Sequence, residues 1–143
     1  MFSLIISIIA IALVAALALA SIYYGGDAFQ EGTAKSEAST VINQGQQIQA
    51  AVTMAEIDEV VVSNLQTDLV DSGEYLKEVP QVRSNAWTLN GNVIEVDVVN
   101  AEVCEYVEAG FDGDNTVDTA AGDQAFGCYT ADSGTTHTAY FKL

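Results

Sequence analysis

Few side chains in this 143-residue chain could do chemistry. There is one histidine, His137, and there are two cysteines, Cys104 and Cys128. Nucleophilic catalysis needs a nucleophile, a base and an orienting group within hydrogen-bond reach. No Ser/Cys/His grouping, glycine-rich phosphate loop or metalloprotease helix can be assembled around His137. That residue reads as an ordinary strand side chain, and the chain as a non-enzyme. No CxxC or Cys/His metal set is present. An even cysteine count favours a disulfide on the extracytoplasmic side of a membrane, the alternative being two small buried thiols. The most ligand-like stretch is Asp112-Gly113-Asp114-Asn115-Thr116-Val117-Asp118. It places oxygen side chains at Asp112, Asp114, Thr116 and Asp118, as the opening of a calcium loop does. It lacks the central glycine and later glutamate of an EF-hand. A solvated acidic loop therefore competes with a surface calcium site on Asp112, Asp114 and Asp118, and no other cofactor is expected.

With so little chemistry, the elements themselves must carry the function, and residues 1–24 dominate them. MFSLIISIIAIALVAALALASIYY contains no charged side chain. As a helix at about 1.5 Å per residue it reaches roughly 36 Å, against about 30 Å for a bilayer's hydrocarbon core. Lipid offers no partners for backbone N–H and C=O groups, so a span of this kind is helical. A cleaved signal peptide fits poorly: no Lys or Arg precedes Lys35, and the apolar run is too long. A plain anchor is the second reading. The third is a helix that rests in lipid and then packs with copies of itself, for which Ala12, Ala15 and Ala16 allow close approach and Met1, Leu4, Ile5, Ile8 and Leu19 supply apolar surface.

All 24 charged side chains lie after this stretch, 20 acidic against 4 basic, giving a formal net charge of −16. Such a surface repels nucleic acid phosphates and anionic lipid headgroups, so direct nucleic-acid binding is not expected. It also implies a cation-rich solvent, because like charges on neighbouring copies otherwise repel.

Along the chain, Gly25-Gly26-Asp27 marks a stop or flexible joint, with Gly25 and Gly26 as the candidate hinge. Residues 1–26 then form the hydrophobic segment and 27–143 the globular domain. Ala34, Ala38, Val41, Gly45, Ile48, Val52 and Ala55 alternate steps of four and three, which predicts an amphipathic helix over about 33–62. Lys35, Glu37, Asn43, Gln46, Gln47 and Thr53 occupy its other face. The Gln-rich patch 44–49 reads equally as a solvated face or as a packing surface between subunits. Residues 64–73 predict a short helix closed by Gly73. Residues 86–99 predict a β-hairpin around Asn90-Gly91, with Ile94, Val96 and Val98 on its inner face. Asn100 caps a helix over 101–109, and two strands follow at about 125–130 and 136–143, joined through Asp132-Ser133-Gly134. The fold class is therefore α+β: a long N-terminal helix, hydrophobic then amphipathic, packed on a small antiparallel sheet with a C-terminal disulfide loop. A Cys104–Cys128 bond would staple the short helix to that sheet.

This layout resembles the type IV pilin family over the whole chain, more in arrangement than in any rigid motif. Locally, Asn64-Leu65-Gln66, Leu69-Val70, Gly73, Tyr75-Leu76-Lys77 and Pro80 are similar to the segment after the long helix of pilins and secretion pseudopilins. The resemblance implies a homo-oligomer: a helical filament with the first helix in its core, extracellular and serving a structural role. It implies a precursor pool in the inner membrane, processing by a pilus assembly machinery, and a methylated N-terminus. The alternatives it leaves are a secretion-system pseudopilin or minor pilin, or a monomeric, single-pass anchored periplasmic binding domain. Most members carry glutamate at the fifth mature position, where this chain has Ile5. The sequence reads either as mature, with Met1 as the processed N-terminus, or as a chain that escapes that processing.

Overall fold

The computed structural model describes residues 1–72, 75–110, 121–131, 134 and 136–143, with Asp27 described by its backbone alone. The chain divides into two compact units, Met1–Thr33 and Ala34–Leu143. Helix α1, Phe2–Ile57, contributes to both. The remaining elements are a π-helical turn Leu65–Asp71, β1 (Gln81–Val82), β2 (Asn85–Ala86), β3 (Thr88–Asn90), β4 (Val93–Val98), α2 (Ala101–Ala109), β5 (Phe126–Ala131) and β6 (Thr136–Lys142). The fold is α+β.

In the second unit, the stripe of small and apolar residues on α1 is the buried one: Ala34, Ala38, Val41, Gly45, Ile48, Val52 and Ala55 all face the core. Their steps of three and four put them on one side of a 3.6-residue helix. α1 stops at Ile57, short of the expected 62, and the stop has a local cause. Glu59 takes a left-handed φ of 62°, Val60 N donates to Ala55 O at 2.9 Å and Glu59 N to Glu56 O at 3.0 Å. That is a Schellman closure in which a glutamate occupies the usual glycine position.

The four-stranded sheet is antiparallel in the order β3-β4-β6-β5, and β1 and β2 form a separate two-stranded ladder. β4 alternates as expected, with Ile94, Val96 and Val98 buried and Asp97 exposed. The β3–β4 turn is displaced by one residue from the expected Asn90-Gly91: Asn90 pairs with Val93, and Gly91, at φ 64°, opens the turn. A glycine at the first central position suits the tight hairpin twist. Ala86 belongs to β2, opposite Gln81, and not to this hairpin.

The centre of the core is aromatic. Phe126 stacks on Phe141 at 5.1 Å between centroids, and Trp87 meets Phe141 edge-on at 5.9 Å. Gly45 brings α1 against that cluster: a Cβ there would lie 2.6 Å from Phe141 Cζ and nearer still to two other ring carbons. The glutamines expected on the outer face split by direction. Gln44 accepts from Trp87 Nε1 at 2.9 Å and donates to Gln81 O at 3.0 Å, while Gln49 donates to Lys142 O at 2.9 Å. These two tie helix to sheet; Gln46 and Gln47 stay exposed. Glu37 also departs from the expected polar face. It is 8% exposed and takes a 2.8 Å bond from Arg83 Nε.

The π-helical turn is capped reciprocally. Asn64 Oδ1 accepts from Gln66 N and Thr67 N, and Asp68 Oδ2 accepts from Ser63 N at 2.7 Å and Asn64 N at 2.8 Å. Those two backbone donors hold the Asp68 carboxyl below its ordinary 3.8. A depressed carboxyl stabilises the folded cap above its unfolded pKa and loses that effect as pH falls through its folded pKa. Acidification below about pH 4 is therefore expected to release the cap, read as a downfield-to-random-coil shift and faster exchange of the Ser63 and Asn64 amides by NMR. An unchanged pair of amides down to pH 2 would contradict it.

Candidate functional site

Two places bear on function: the disulfide region and the first part of α1. Cys104 on α2 and Cys128 on β5 are bonded, with Cα atoms 5.3 Å apart and both residues fully buried. Asn100, with its side chain accepting from Val103 N at 3.1 Å, starts α2 as expected. Near the end of that helix, Glu108 is 5% exposed, and its Oε1 accepts from the backbone N–H of Cys128. β5 is an edge strand, so this carboxylate covers a backbone donor that an open edge would offer to another chain. His137 lies on β6 with Nδ1 3.0 Å from Thr130 Oγ1. Among the described residues no group of three or more His, Cys, Asp or Glu could hold a metal. Asp112, Asp114 and Asp118, the candidate calcium residues, lie outside the described residues.

The first part of α1 presents the opposite chemistry. Leu4, Ile5, Ile8, Ala12, Ala15, Ala16 and Leu19 sit on it, Met1 immediately precedes it, and all are exposed. The least exposed large apolar side chains of this stretch, Ile5 and Ile9, still show 53% of their surface. Ser7 Oγ turns back to Ser3 O at 2.9 Å, so its hydroxyl is satisfied within the helix. Tyr23 and Tyr24 close the apolar run with their rings edge to face. α1 is the one helix among the described residues long and apolar enough to cross a membrane.

Gly25 and Gly26 lie inside α1, and no break occurs there. Of the two expectations for this stretch, a stop or a flexible joint, the stop is not realised, since α1 runs through it. Two helical glycines cost about 2 kcal/mol together, and restarting a helix beyond a break carries a nucleation cost as well. Nothing in the chain lies within 4 Å of a Cβ placed at either glycine. The contact boundary falls later, between Thr33 and Ala34, where α1 first buries a side chain.

Sequence reasoning missed the Glu37–Arg83 pair, the inward Gln44 and Gln49, and Glu108. Each partner is 20 or more residues away, and no local spacing signals such a pairing. Arg83 even adopts a left-handed φ of 58° in the β1–β2 turn, a strained choice for a β-carbon-bearing residue.

No family model, no curated protein and no solved structure matches this chain. Likeness therefore rests on arrangement alone. A long N-terminal apolar helix whose later part packs on a small antiparallel sheet, with a disulfide in the C-terminal region, is a pilin-like arrangement.

Proposed function

We propose that this chain is the structural subunit of an extracellular, type IV pilus-like filament, polymerising through its N-terminal helix from a pool held in the inner membrane. The observation that carries the reading is the exposure of residues 1–24. Fifteen large apolar side chains there, from Met1 to Tyr24, face outward. At roughly 1.5–3 kcal/mol for each, leaving them in water costs on the order of 20–45 kcal/mol. A domain's whole stability is about 5–15 kcal/mol. The segment must therefore be covered by lipid or by other protein. Lipid accepts any apolar surface, whereas copies packed side by side need close approach, and the alanines at 12, 15 and 16 supply it. No side chain of residues 1–24 is charged, which leaves apolar packing as the main attraction, at about 25 cal/mol per Å² buried.

Electron microscopy of material sheared from the cell surface tests the reading. Filaments containing this chain support it, and membrane-bound monomer alone would sink it. A second test separates assembly from anchoring. Ala12→Leu, Ala15→Leu or Ala16→Leu is expected to leave membrane insertion unchanged and to reduce filament yield, because insertion tolerates any apolar side chain and close packing does not. Equal loss of both, by quantitative blotting of membrane and sheared fractions, would favour a plain anchor.

A further inference from the structure

We infer that the outer face of the four-stranded sheet carries a saccharide site: an open cleft of about 440 Å³, between the β1–β2 turn and β4, that takes a neutral, hydroxyl-rich ligand of hexose type. The inference does not depend on the filament reading. The cleft's volume lies within the roughly 300–1,000 Å³ of small-molecule sites. Glu95 and Asp97 stand two residues apart on β4 and so share one face, while Ile94, Val96 and Val98 are buried on the other. Thr138 lies opposite Asp97 on β6, and Tyr129 lies opposite Thr138 on β5. From there Tyr129 reaches across β6, and its hydroxyl donates to Glu95 Oε1 at 3.2 Å. Thr138, buried on the strand that the ring crosses, donates from Oγ1 to Asp97 Oδ1 at 3.0 Å. The cleft thus joins an aromatic ring to two oriented carboxylates.

The opposite wall is the β1–β2 turn, fixed from α1. Arg83 keeps its left-handed φ of 58° with Nε bonded to the buried Glu37 at 2.8 Å, and Gln44 donates to Gln81 O at 3.0 Å. A strained residue persists where its surroundings over-determine it, and such residues gather at ligand sites. The turn sets Ser84 at the cleft and Asn85 against β4, where Asn85 Nδ2 donates to Asp97 O at 2.8 Å. Among the described residues, Asp97 Oδ2 and Asn85 Oδ1 take no other bond. The capacity left is mainly that of acceptors, so a ligand must bring donors. Adjacent hydroxyls of a sugar ring do so toward the two oxygens of a carboxylate, and bonds to an ionised acceptor are the stronger ones. The sugar's C–H face packs on the Tyr129 ring, whose π face is negative. Burial, with Glu95 beside it, pushes the Tyr129 phenol above its ordinary 10.0, so it stays a donor to Glu95. No Lys or Arg lines the cleft, which disfavours an anionic sugar. A cation has no reason to choose this place, because a net charge of −16 draws cations to the whole surface and salt screens them in an open cleft.

The test titrates the full-length chain, in a detergent without a sugar headgroup, with maltose, lactose and mannobiose, and follows the backbone amides by NMR. At least one of these neutral disaccharides is expected to shift residues 84–86, 95–97, 129 and 138 saturably at millimolar concentration, and added salt should leave the half-saturation point unchanged. Asp97→Asn keeps the shape and removes the charged acceptor, which should weaken binding at least about tenfold. Ser84→Trp closes the mouth and should abolish binding with Asp97 intact. Both side chains are exposed, so the unfolding temperature should hold in each variant. Glu102→Gln, which removes an exposed carboxylate from α2, should bind like wild type. Wild-type chain that responds to none of the three disaccharides, responds elsewhere, or responds only to calcium or glucosamine would overturn the inference. Asp97→Asn and Ser84→Trp chains that both bind like wild type would overturn it too.

Discussion

Phe141→Ala is expected to lower the unfolding free energy by about 3–5 kcal/mol. The ring is 2% exposed, is stacked on Phe126, meets Trp87 at its edge and fills the notch made by Gly45. Its removal leaves a cavity that three different elements would have to collapse to fill. The partner substitution sharpens the test. In the wild-type background, Gly45→Ala forces a methyl into the ring and costs about 1–3 kcal/mol, even after the roughly 1 kcal/mol that alanine gains over glycine in a helix. In the Phe141→Ala background the obstruction is gone and the methyl occupies part of the cavity, so the same change becomes neutral or stabilising by up to about 1 kcal/mol. The change of sign is the prediction. It is read from denaturant melts of the four proteins in mild detergent, followed by the near-ultraviolet signal of Trp87. Additive losses would mean that α1 can shift away from the sheet and that the notch is looser than its geometry indicates.

What the sequence reveals and what it hides divide along the range of the forces involved. The buried stripe of α1, the alternation in β4 and the Asn100 cap of α2 are all set by neighbours within one or two turns or along one strand, and each can be read from spacing. The glutamines could not be assigned in the same way, because Gln44 and Gln49 lie within one turn and a half of Gln46 and Gln47, yet their partners, Trp87 and the backbones of Gln81 and Lys142, come 37 to 93 residues later in the chain. Glu37 is a stronger case. By composition it belongs on the outer face, and only a turn 46 residues later delivers the guanidinium that lets it be buried. The end of α1 was misplaced for a further reason: Val60-Val61-Val62 continues the apolar character, while the closure depends on a left-handed Glu59 that no propensity favours. The apolar character of residues 1–24 is legible for the opposite reason: their large side chains are exposed on α1 rather than packed in the core, so a run without charge shows itself in the sequence with no distant partner to find.

Removal of the Cys104–Cys128 bond, by reduction or as the Cys104→Ser, Cys128→Ser pair, is expected to cost about 2–4 kcal/mol, mostly by lengthening the list of conformations open to the unfolded chain. The bond joins residues 24 apart in sequence, and its loss should fall unevenly on the folded domain. α2 packs against β5 and β6 through Val103, Cys104 and Val107, a short apolar edge on a helix of nine residues. Such a helix is marginal without tertiary support. Glu108 adds to the local cost: with α2 free to move, its carboxylate gives up the Cys128 N–H, and the exposed edge of β5 is uncovered. The helix–sheet core is anchored by Val41 and Ile48 on α1, Ile94 on β4 and Phe141 on β6, none of which lies on α2 or β5, the elements that carry the two sulfurs. Hydrogen exchange in the reduced protein should therefore show protection lost first at residues 101–110 and at the outward amides of β5, while residues 41–55 of α1 keep theirs. Simultaneous loss across both regions would mean that the disulfide supports the whole domain rather than its C-terminal flank. A local loss would make the uncovered β5 edge the route by which reduced subunits associate wrongly, because an edge strand without its carboxylate cover accepts any extended partner of matching length.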